Sequence, residues 1–234
     1  MYRLKSIKLY FFSFFKIFFL SIRNFYFKSN YYNKKLITFI PDRIFYIPST
    51  YLSASLTSGG SDFYKINSTN PELLWKINKT EKLKFKNLHS FLWLARIDRK
   101  DSKIITKNII KSWISIYFNY DSSTWEMEIT ARRIIAWASN IDISLENSDK
   151  VYKEKFFLSL IKQSNFLAKN LNNLFYEPSK IICCAAIILS GMIFKENDSN
   201  CKIGIRELEK VIKNYFDETG FPKSRNPEEV FICI

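Results

Sequence analysis

The stretch Ile181-Ile-Cys-Cys-Ala-Ala-Ile-Ile-Leu189 holds no polar side chain from its first residue to its last. A helix with one solvated face carries polar residues at helical spacing, so this run predicts a helix that is buried on every side. It is shorter than the ~20 apolar residues that a membrane-spanning helix needs. A helix buried all round needs neighbours on all sides, and the run therefore predicts more than one layer of packed helices.

The segments on either side of this run repeat apolar residues with the period of an α-helix. Ile105, Ile109, Trp113 and Ile116, for example, share one helical face. The pattern predicts helices at residues 88–96, 104–118, 125–139, 150–174, 179–194 and 205–216. Short polar connections favour antiparallel neighbours, so we expect an all-α fold built as an array of helical hairpins with an inner and an outer ring.

The whole chain divides into three predicted parts. Residues 1–30 form a basic amphipathic helix rich in Phe, residues 31–86 an extended connector punctuated by Pro and Gly, and residues 87–234 the helical domain. Lys16 interrupts the apolar run of the first helix and no small-residue cleavage site follows, which disfavours a spanning helix or a signal peptide. We expect this helix to lie against the protein body or to contact a membrane surface peripherally. Bacterial cytoplasm and periplasm both stay open as compartments.

The charge of the chain defines a class of partner. Its 36 Lys and Arg against 22 Asp and Glu give a net charge of +14, which attracts nucleic acid, anionic lipid or acidic polysaccharide. The sequence shows no nucleic-acid-binding motif, so we expect no nucleic-acid partner. His89 is the only histidine and the four cysteines include no C-x-x-C pair, so we expect no metal site and no cofactor.

Four segments of the helical region match one known family in order and spacing. They are Asn87-Leu-His-Ser-Phe-Leu-Trp-Leu94, Trp125-Glu-Met-Glu-Ile-Thr-Ala-Arg-Arg-Ile-Ile-Ala-Trp137, Ser159-Leu-Ile-Lys-Gln-Ser-Asn-Phe-Leu-Ala-Lys-Asn-Leu171 and Asp217-Glu-Thr-Gly-Phe-Pro-Lys-Ser-Arg-Asn-Pro227. Over residues 75 to 234 the chain resembles the heparinase II/III family of polysaccharide lyases, and the fourth segment is similar to that of its alphaproteobacterial members. The resemblance implies an incomplete α/α toroid, followed in the family by an antiparallel β-sandwich. We expect this chain to be truncated before that β-sandwich.

The resemblance also implies a reaction. Family members cleave uronate-containing acidic polysaccharides by β-elimination, in which a base removes the proton next to the carboxylate and nearby donors stabilise the intermediate. The family's Asn-His pair falls on Pro178 and Ser179 here, and Glu228 and Glu229 occupy the stretch of its Tyr. No catalytic residue can therefore be assigned. A non-catalytic helical toroid that binds anionic glycan stays open as the alternative.

Six residues are candidates for substrate binding, namely Arg133, Trp125, Trp137, His89, Arg225 and Asn226. The first arginine could pair with a substrate carboxylate or bridge helices to a neighbouring Glu. The two tryptophans could stack on sugar rings or belong to the core, and the histidine could be a base or a packing residue. The last two residues could face a substrate from their loop or fix a turn.

The carboxylates of Glu126 and Glu128 are the remaining motif with a functional interpretation. Two facing carboxylates are typical of a glycoside hydrolase. Residues two positions apart point to different sides of a helix, which disfavours that interpretation.

Overall fold

A computed structural model describes residues 2–40, 71–76, 79–96 and 103–226. This part of the chain is helical, with an isolated β-bridge between Phe216 and Pro222, so the predicted all-α class is confirmed. The helices are α1 (Tyr2–Lys28), α2 (Asn30–Lys35), α3 (Pro71–Leu74), α4 (Lys82–Ser90), α5 (Lys103–Tyr117), α6 (Met127–Ser139), α7 (Ile141–Leu145), α8 (Lys150–Asn170), α9 (Glu177–Ile193) and α10 (Asp198–Tyr215). Short 3-10 helices lie at Leu92–Arg96, Leu171–Asn173 and Lys195–Asn197.

The apolar run lies in α9, the helix at the centre of the fold. It packs against α6, α8 and α10, and Cys183, Cys184 and Ile187 are completely buried. Ala185 is exposed, so the helix is covered on most sides, whereas the sequence predicted burial on every side. A methyl group leaves little apolar surface in water, which makes this exposed position inexpensive.

Helices α9 and α10 form an antiparallel hairpin with a close crossing. A Cβ added at Gly191 would lie 2.6 Å from the Cβ and the backbone nitrogen of Cys201, and one added at Gly204 would lie 2.6 Å from Cγ1 of Ile188. Two helices can approach this closely only where the side chain is a hydrogen atom. The two glycines therefore set the distance between α9 and α10.

An aromatic cluster fills the core between α5, α6 and α8. The ring of Trp137 lies 5.3 Å from the rings of Phe91, Trp113 and Phe156, measured between centroids. Edge-to-face and stacked pairs at this distance add to the gain from burying their apolar area. This cluster fixes the relative positions of three helices, of which α6 carries Arg133 and Trp137.

Two predicted boundaries are wrong in the structure. The predicted helix 88–96 is broken, because α4 ends at Ser90 and Phe91 has a left-handed backbone with φ of 58°. This conformation is costly for a bulky residue, and complete burial of the Phe91 ring holds it in place. Helix α10 begins at Asp198 rather than at residue 205, since its first turn is polar and lacks the apolar spacing on which the prediction relied.

The predicted connector contains helices. Helices α2 and α3 and the start of α4 fall within residues 31–86, while residues 41–70 of that connector lie outside the described residues. Helix α2 begins at a side-chain cap, in which Ser29 accepts a hydrogen bond from the backbone N–H of Tyr32. Such short helices carry too few apolar residues to show a period in the sequence.

Helix α1 leaves the body of the protein. Residues 13–23 are all exposed, and the helix meets the body near its C-terminal end, where Phe27 packs on Tyr32, Tyr120 and Phe166. Packing against the body, one of its two predicted positions, therefore does not apply to residues 13–23. Within the described ranges, no helix combines the length and the apolar character that crossing a bilayer requires.

Candidate functional site

Arg133 on α6 is completely buried and bonded to the protein on every arm. Its Nε donates to Oε1 of Gln163 at 2.6 Å, and its Nη1 donates to the carbonyls of His89 and Thr124 at 2.9 Å each. Its guanidinium lies 4.1 Å from the ring centroid of Trp113. Burial lowers the pKa of Arg133, while the negative charge of Glu126 favours its charged form. Arg133 thus bridges elements, through carbonyls and an amide rather than through the expected Glu, and does not face a substrate.

His89 on α4 lies beside Arg133 and is also buried. Its Nδ1 accepts a hydrogen bond from Nε1 of Trp113 at 3.1 Å, and its ring centroid lies 4.2 Å from that of Phe85. Desolvation, with a smaller contribution from the charge of Arg133, lowers the pKa of His89 to about 3. A neutral, buried imidazole cannot meet a substrate from solvent. The structure therefore favours the packing role over that of a base.

Trp125 and Trp137 belong to the core as well. Both are buried, the indole N–H of Trp125 donates to the carbonyl of Tyr117 at 3.0 Å, and the ring of Trp137 stacks on Phe156. A ring that stacks on a sugar must present a face to solvent, and neither does. The predicted sugar-stacking role does not fit this burial.

Arg225 and Asn226 lie apart from these four residues, at the surface. Nη2 of Arg225 pairs with Oδ2 of Asp217 at 2.6 Å, across a turn in which the same carboxylate accepts from the backbone N–H of Thr219. Arg225 has a left-handed backbone with φ of 56°. Arg225 thus fixes the turn after α10, which is the second of the two roles considered for it. Asn226 is exposed at the end of this turn.

A second group of charged residues surrounds Glu128 at the N-terminal ends of α6 and α9. Oε1 of Glu128 pairs with Nζ of Lys86 at 2.6 Å and with Nε of Arg132 at 3.0 Å, while its Oε2 accepts from Oγ of Ser179 at 3.0 Å. Partial burial raises the pKa of Glu128, and these three partners outweigh burial and lower the pKa overall. Glu128 therefore stays ionised and joins α4, α6 and α9.

Glu207 on α10 organises the adjoining part of this surface. Its Oε1 lies 2.8 Å from Nζ of Lys210 and 3.3 Å from Nε of Arg206, and its Oε2 lies 3.9 Å from Nζ of Lys180. The hydrogen bond from Lys210 is the largest of the effects that lower the pKa of Glu207. Lys180 follows Ser179 in the chain, so both carboxylates contact the first turn of α9.

We call this surface the basic belt, and its members are Lys86, Glu128, Arg132, Ser179, Lys180, Arg206, Glu207 and Lys210. The belt contains five cationic side chains and two carboxylates. Three further acids adjoin the belt in the chain: Glu126, whose carboxylate accepts from backbone N–H groups at the start of α6, Glu177 in the first turn of α9, and Glu209 on α10. Within its eight named residues, the belt has more cationic side chains than carboxylates.

Sequence reasoning missed the belt as a unit. Its members come from four helices, and only the pairs Glu128–Arg132 and Glu207–Lys210 have the i, i+4 or i, i+3 spacing that a sequence can reveal. Glu128 was considered only as half of an acid pair. Charge pairs within single helices were the available signal, and they do not show which helices meet.

Two cavities lie elsewhere on the helical body. One, of about 350 Å³, lies between α5 and α8 and is lined by Lys111, Ser115, Phe118, Tyr152 and Lys155 among others. The other, of about 440 Å³, is lined by polar residues that include Asn165, Lys169, Glu196, Asn197 and Asn200. The amides of Asn165 and Asn200 bond to each other at 2.7 Å and tie α8 to α10, so much of the polarity of the second cavity is used within the fold.

Lys162 on α8 is a buried amine that could suggest a catalytic base. Burial lowers its pKa to about 7. Its Nζ donates to the carbonyl of Phe118 at 2.9 Å and to Oδ1 of Asn119 at 2.6 Å, and it lies 4.2 Å from the ring of Phe118. These contacts hold the loop after α5 and leave the amine facing protein, which favours a structural role.

Comparison with known proteins supplies no relative from which a role could be transferred. Models of protein families, curated proteins and solved structures were compared with the chain, and none matches it. Within the described residues, no three His, Cys, Asp or Glu side chains are grouped as metal ligands would be. A function for this chain must therefore be argued from its own residues and from the resemblance stated above.

Proposed function

We propose that this chain is a heparinase II/III-like helical protein that binds a uronate-containing acidic polysaccharide on the basic belt. The observation that carries the proposal is the excess of cations around Glu128 and Glu207. Several of these cations remain open to solvent, with side-chain exposures of 38% for Lys86, 59% for Lys210 and 65% for Arg206. A carboxylate or sulfate group of a glycan would meet charge-assisted hydrogen bonds there without rearrangement of the backbone.

The position of the belt supports the proposal independently of its charge. The belt includes Ser179, one of the two residues that occupy the positions of the family's Asn-His pair. Helix α9 begins there without a side-chain cap, and the helix dipole favours an anion near its first turn, which also carries Glu177. The resemblance and the electrostatics therefore point to the same end of α9.

The finer architecture is part of the same proposal. We propose that the helical hairpins form an incomplete α/α toroid. The antiparallel α9–α10 hairpin, with α9 enclosed by α6, α8 and α10, supports this arrangement because a toroid needs inner helices covered by outer ones. In such a fold the helix ends around Ser179 would line one rim.

Lyase cleavage by β-elimination is the second candidate function. The belt favours it in one respect, since elimination requires cationic groups that neutralise the uronate carboxylate. The proton-abstracting group is not supplied by the belt, which contains neither His nor Tyr, and His89 is buried and neutral. We therefore rank binding ahead of cleavage.

The test compares two charge-matched double variants in calorimetric binding to a polyuronate. Lys86→Gln with Lys210→Gln removes one cation from each half of the belt. Lys153→Gln with Lys195→Gln removes the same charge from exposed positions outside it. We expect the belt variant to bind about tenfold more weakly or worse, and the control to stay within about twofold of the wild type. Equal weakening of both variants, or no binding by the wild type, would contradict the proposal.

The same polymer separates the two candidate functions. β-Elimination creates an unsaturated uronate that absorbs in the ultraviolet, so incubation with the wild type followed by absorbance detects cleavage directly. Binding without a rise in absorbance supports the non-catalytic role. A rise that disappears in the belt variant and persists in the control would establish the lyase.

A further inference from the structure

We propose that α1 binds the surface of an anionic lipid bilayer and holds the helical body there. The proposal begins with exposure, because residues 13–23 of α1 are all exposed. Phe14 is 66% exposed, Phe18 50% and Phe25 80%. Soluble monomers rarely leave so many neighbouring large apolar side chains in water unless they meet a partner.

The two basic residues of this exposed segment share one narrow face, and its exposed apolar residues extend around the rest of the helix. At 100° per residue, Phe14, Phe18 and Phe25 fall within 40° of one another around the helix axis, as positions i, i+4 and i+11. Lys16 and Arg23 are seven residues apart and share the opposite face. A helix with aromatic residues on one face and basic residues on the other lies in the plane of a membrane surface, with the rings among the acyl chains and the cations at the headgroups.

Charge complementarity identifies the type of lipid. The sequence from Met1 to the first acid, Asp42, contains only basic charged residues. Each such residue near an anionic leaflet adds to the attraction, whereas a neutral zwitterionic surface offers none of it. The same like charges would repel one another across a pair of parallel α1 helices, which disfavours a second copy of the chain as the occupant.

The base of α1 is built to transmit this attachment to the body. Phe27 is buried against Tyr120 and Phe166, and its carbonyl accepts a hydrogen bond from Nδ2 of Asn33 at 3.0 Å. Oδ1 of Asn33 in turn accepts from the backbone N–H of Tyr120 at 3.0 Å. The helix is therefore fixed at one end, while residues 13–23 are exposed.

The test uses the full chain and vesicle sedimentation. Vesicles of phosphatidylcholine alone are compared with vesicles that also contain phosphatidylglycerol. The variant Phe14→Ser, Phe18→Ser, Phe25→Ser removes the apolar face of α1. The control Leu83→Ser, Phe175→Ser, Phe221→Ser removes three large apolar side chains that are exposed elsewhere, at 72%, 91% and 55%. We expect binding only with phosphatidylglycerol, at least about tenfold weaker for the α1 variant and unchanged for the control.

Insertion is measured with one added indole. The native tryptophans are all buried, so the emission of Phe18→Trp reports the lipid contact above a constant background. We expect a blue shift and quenching by brominated acyl chains when anionic vesicles are added. Binding that survives loss of the three phenylalanines would overturn the proposal. Concentration-dependent dimerisation that is lost in the α1 variant, without vesicle binding by the wild type, would also overturn it.

Discussion

Arg133 is the residue on which the interior depends most. Its guanidinium joins α6 to α8 through Gln163 and to α4 through the carbonyl of His89. The amine of a lysine could make only some of these hydrogen bonds, because its donors do not form a planar fork. Each buried carbonyl that loses its hydrogen-bond donor lowers the free energy of unfolding.

We expect Arg133→Lys to lower the free energy of unfolding by about 3 kcal/mol, since it leaves buried acceptors around a buried charge without their donors. Urea unfolding followed by circular dichroism measures this. Arg206→Lys is the control, because the side chain of Arg206 is 65% exposed, and it should change stability by less than about 0.5 kcal/mol. A loss for Arg133→Lys as small as that of the control would show that the guanidinium is dispensable to the fold.

His89 gives the protein a pH dependence of known sign. Its folded pKa of about 3 lies below the ordinary value of 6.5, so the unfolded chain takes up the proton first as the pH falls. The contribution of the neutral His89 to the free energy of unfolding is complete above about pH 6.5. It is lost as the pH falls toward about 3, by up to about 1.4 kcal/mol per pH unit.

Unfolding of the wild type and of His89→Gln at about pH 7.5 and about pH 5 tests this sign. A glutamine oxygen can still accept from Trp113 and does not titrate. We expect the wild type to lose stability between the two conditions and the variant to lose clearly less. Parallel losses would mean that other groups cause the acid sensitivity.

The sequence identified these residues without revealing their surroundings. Arg133 stood out between two tryptophans, and packing was one of the two roles considered for each of them. The choice depended on Gln163 and on the carbonyls of Thr124 and His89, which approach from other elements. Helical periodicity places a residue on a face of its own helix and does not say what covers that face.

Among the elements, the α9–α10 hairpin is the most constrained. A methyl group at Gly191 would meet the backbone of Cys201, which cannot move without shifting α10. At Gly204 the nearest atom is the side-chain Cγ1 of Ile188, and the nearest backbone atoms, the oxygen of Cys184 and the nitrogen of Ile188, lie further away at 3.1 and 3.2 Å. The two positions therefore differ in how well they can relax.

We expect Gly191→Ala to destabilise the protein by about 1–3 kcal/mol and Gly204→Ala by less. The sign is informative, because alanine stabilises an isolated helix relative to glycine by about 1 kcal/mol. Thermal and urea unfolding of both variants gives the order. If Gly191→Ala were as stable as the wild type, the close crossing would not exist in solution.

The elements show where sequence patterns succeed and where they fail. The helical periodicity of the long segments predicted α5, α6, α8 and α9, with boundaries within a few residues of those in the structure. The break at Phe91 was missed, because a left-handed residue there is stabilised by burial of its ring and not by any local signal such as glycine. The exposure of α1 was also unforeseeable, since its composition fits a covered helix equally well.

For the whole molecule, the net charge of +14 predicted a polyanionic partner without locating it. Two surfaces of different character carry part of this positive charge. On α1 the cations accompany exposed aromatic rings, as a lipid surface requires. On the basic belt they surround Glu128 and Glu207 on packed helices, as an extended anionic polymer requires. Two partners of like charge can thus be bound by separate elements.

Lysine labelling with and without a polyuronate, read residue by residue by mass spectrometry, tests the central claim of glycan binding on the belt. Protection of Lys86, Lys180 and Lys210, with Lys153 and Lys195 labelled as before, is the result we predict. Uniform protection of all these lysines, or protection confined to Lys153 and Lys195, would contradict the assignment of the belt as the glycan site.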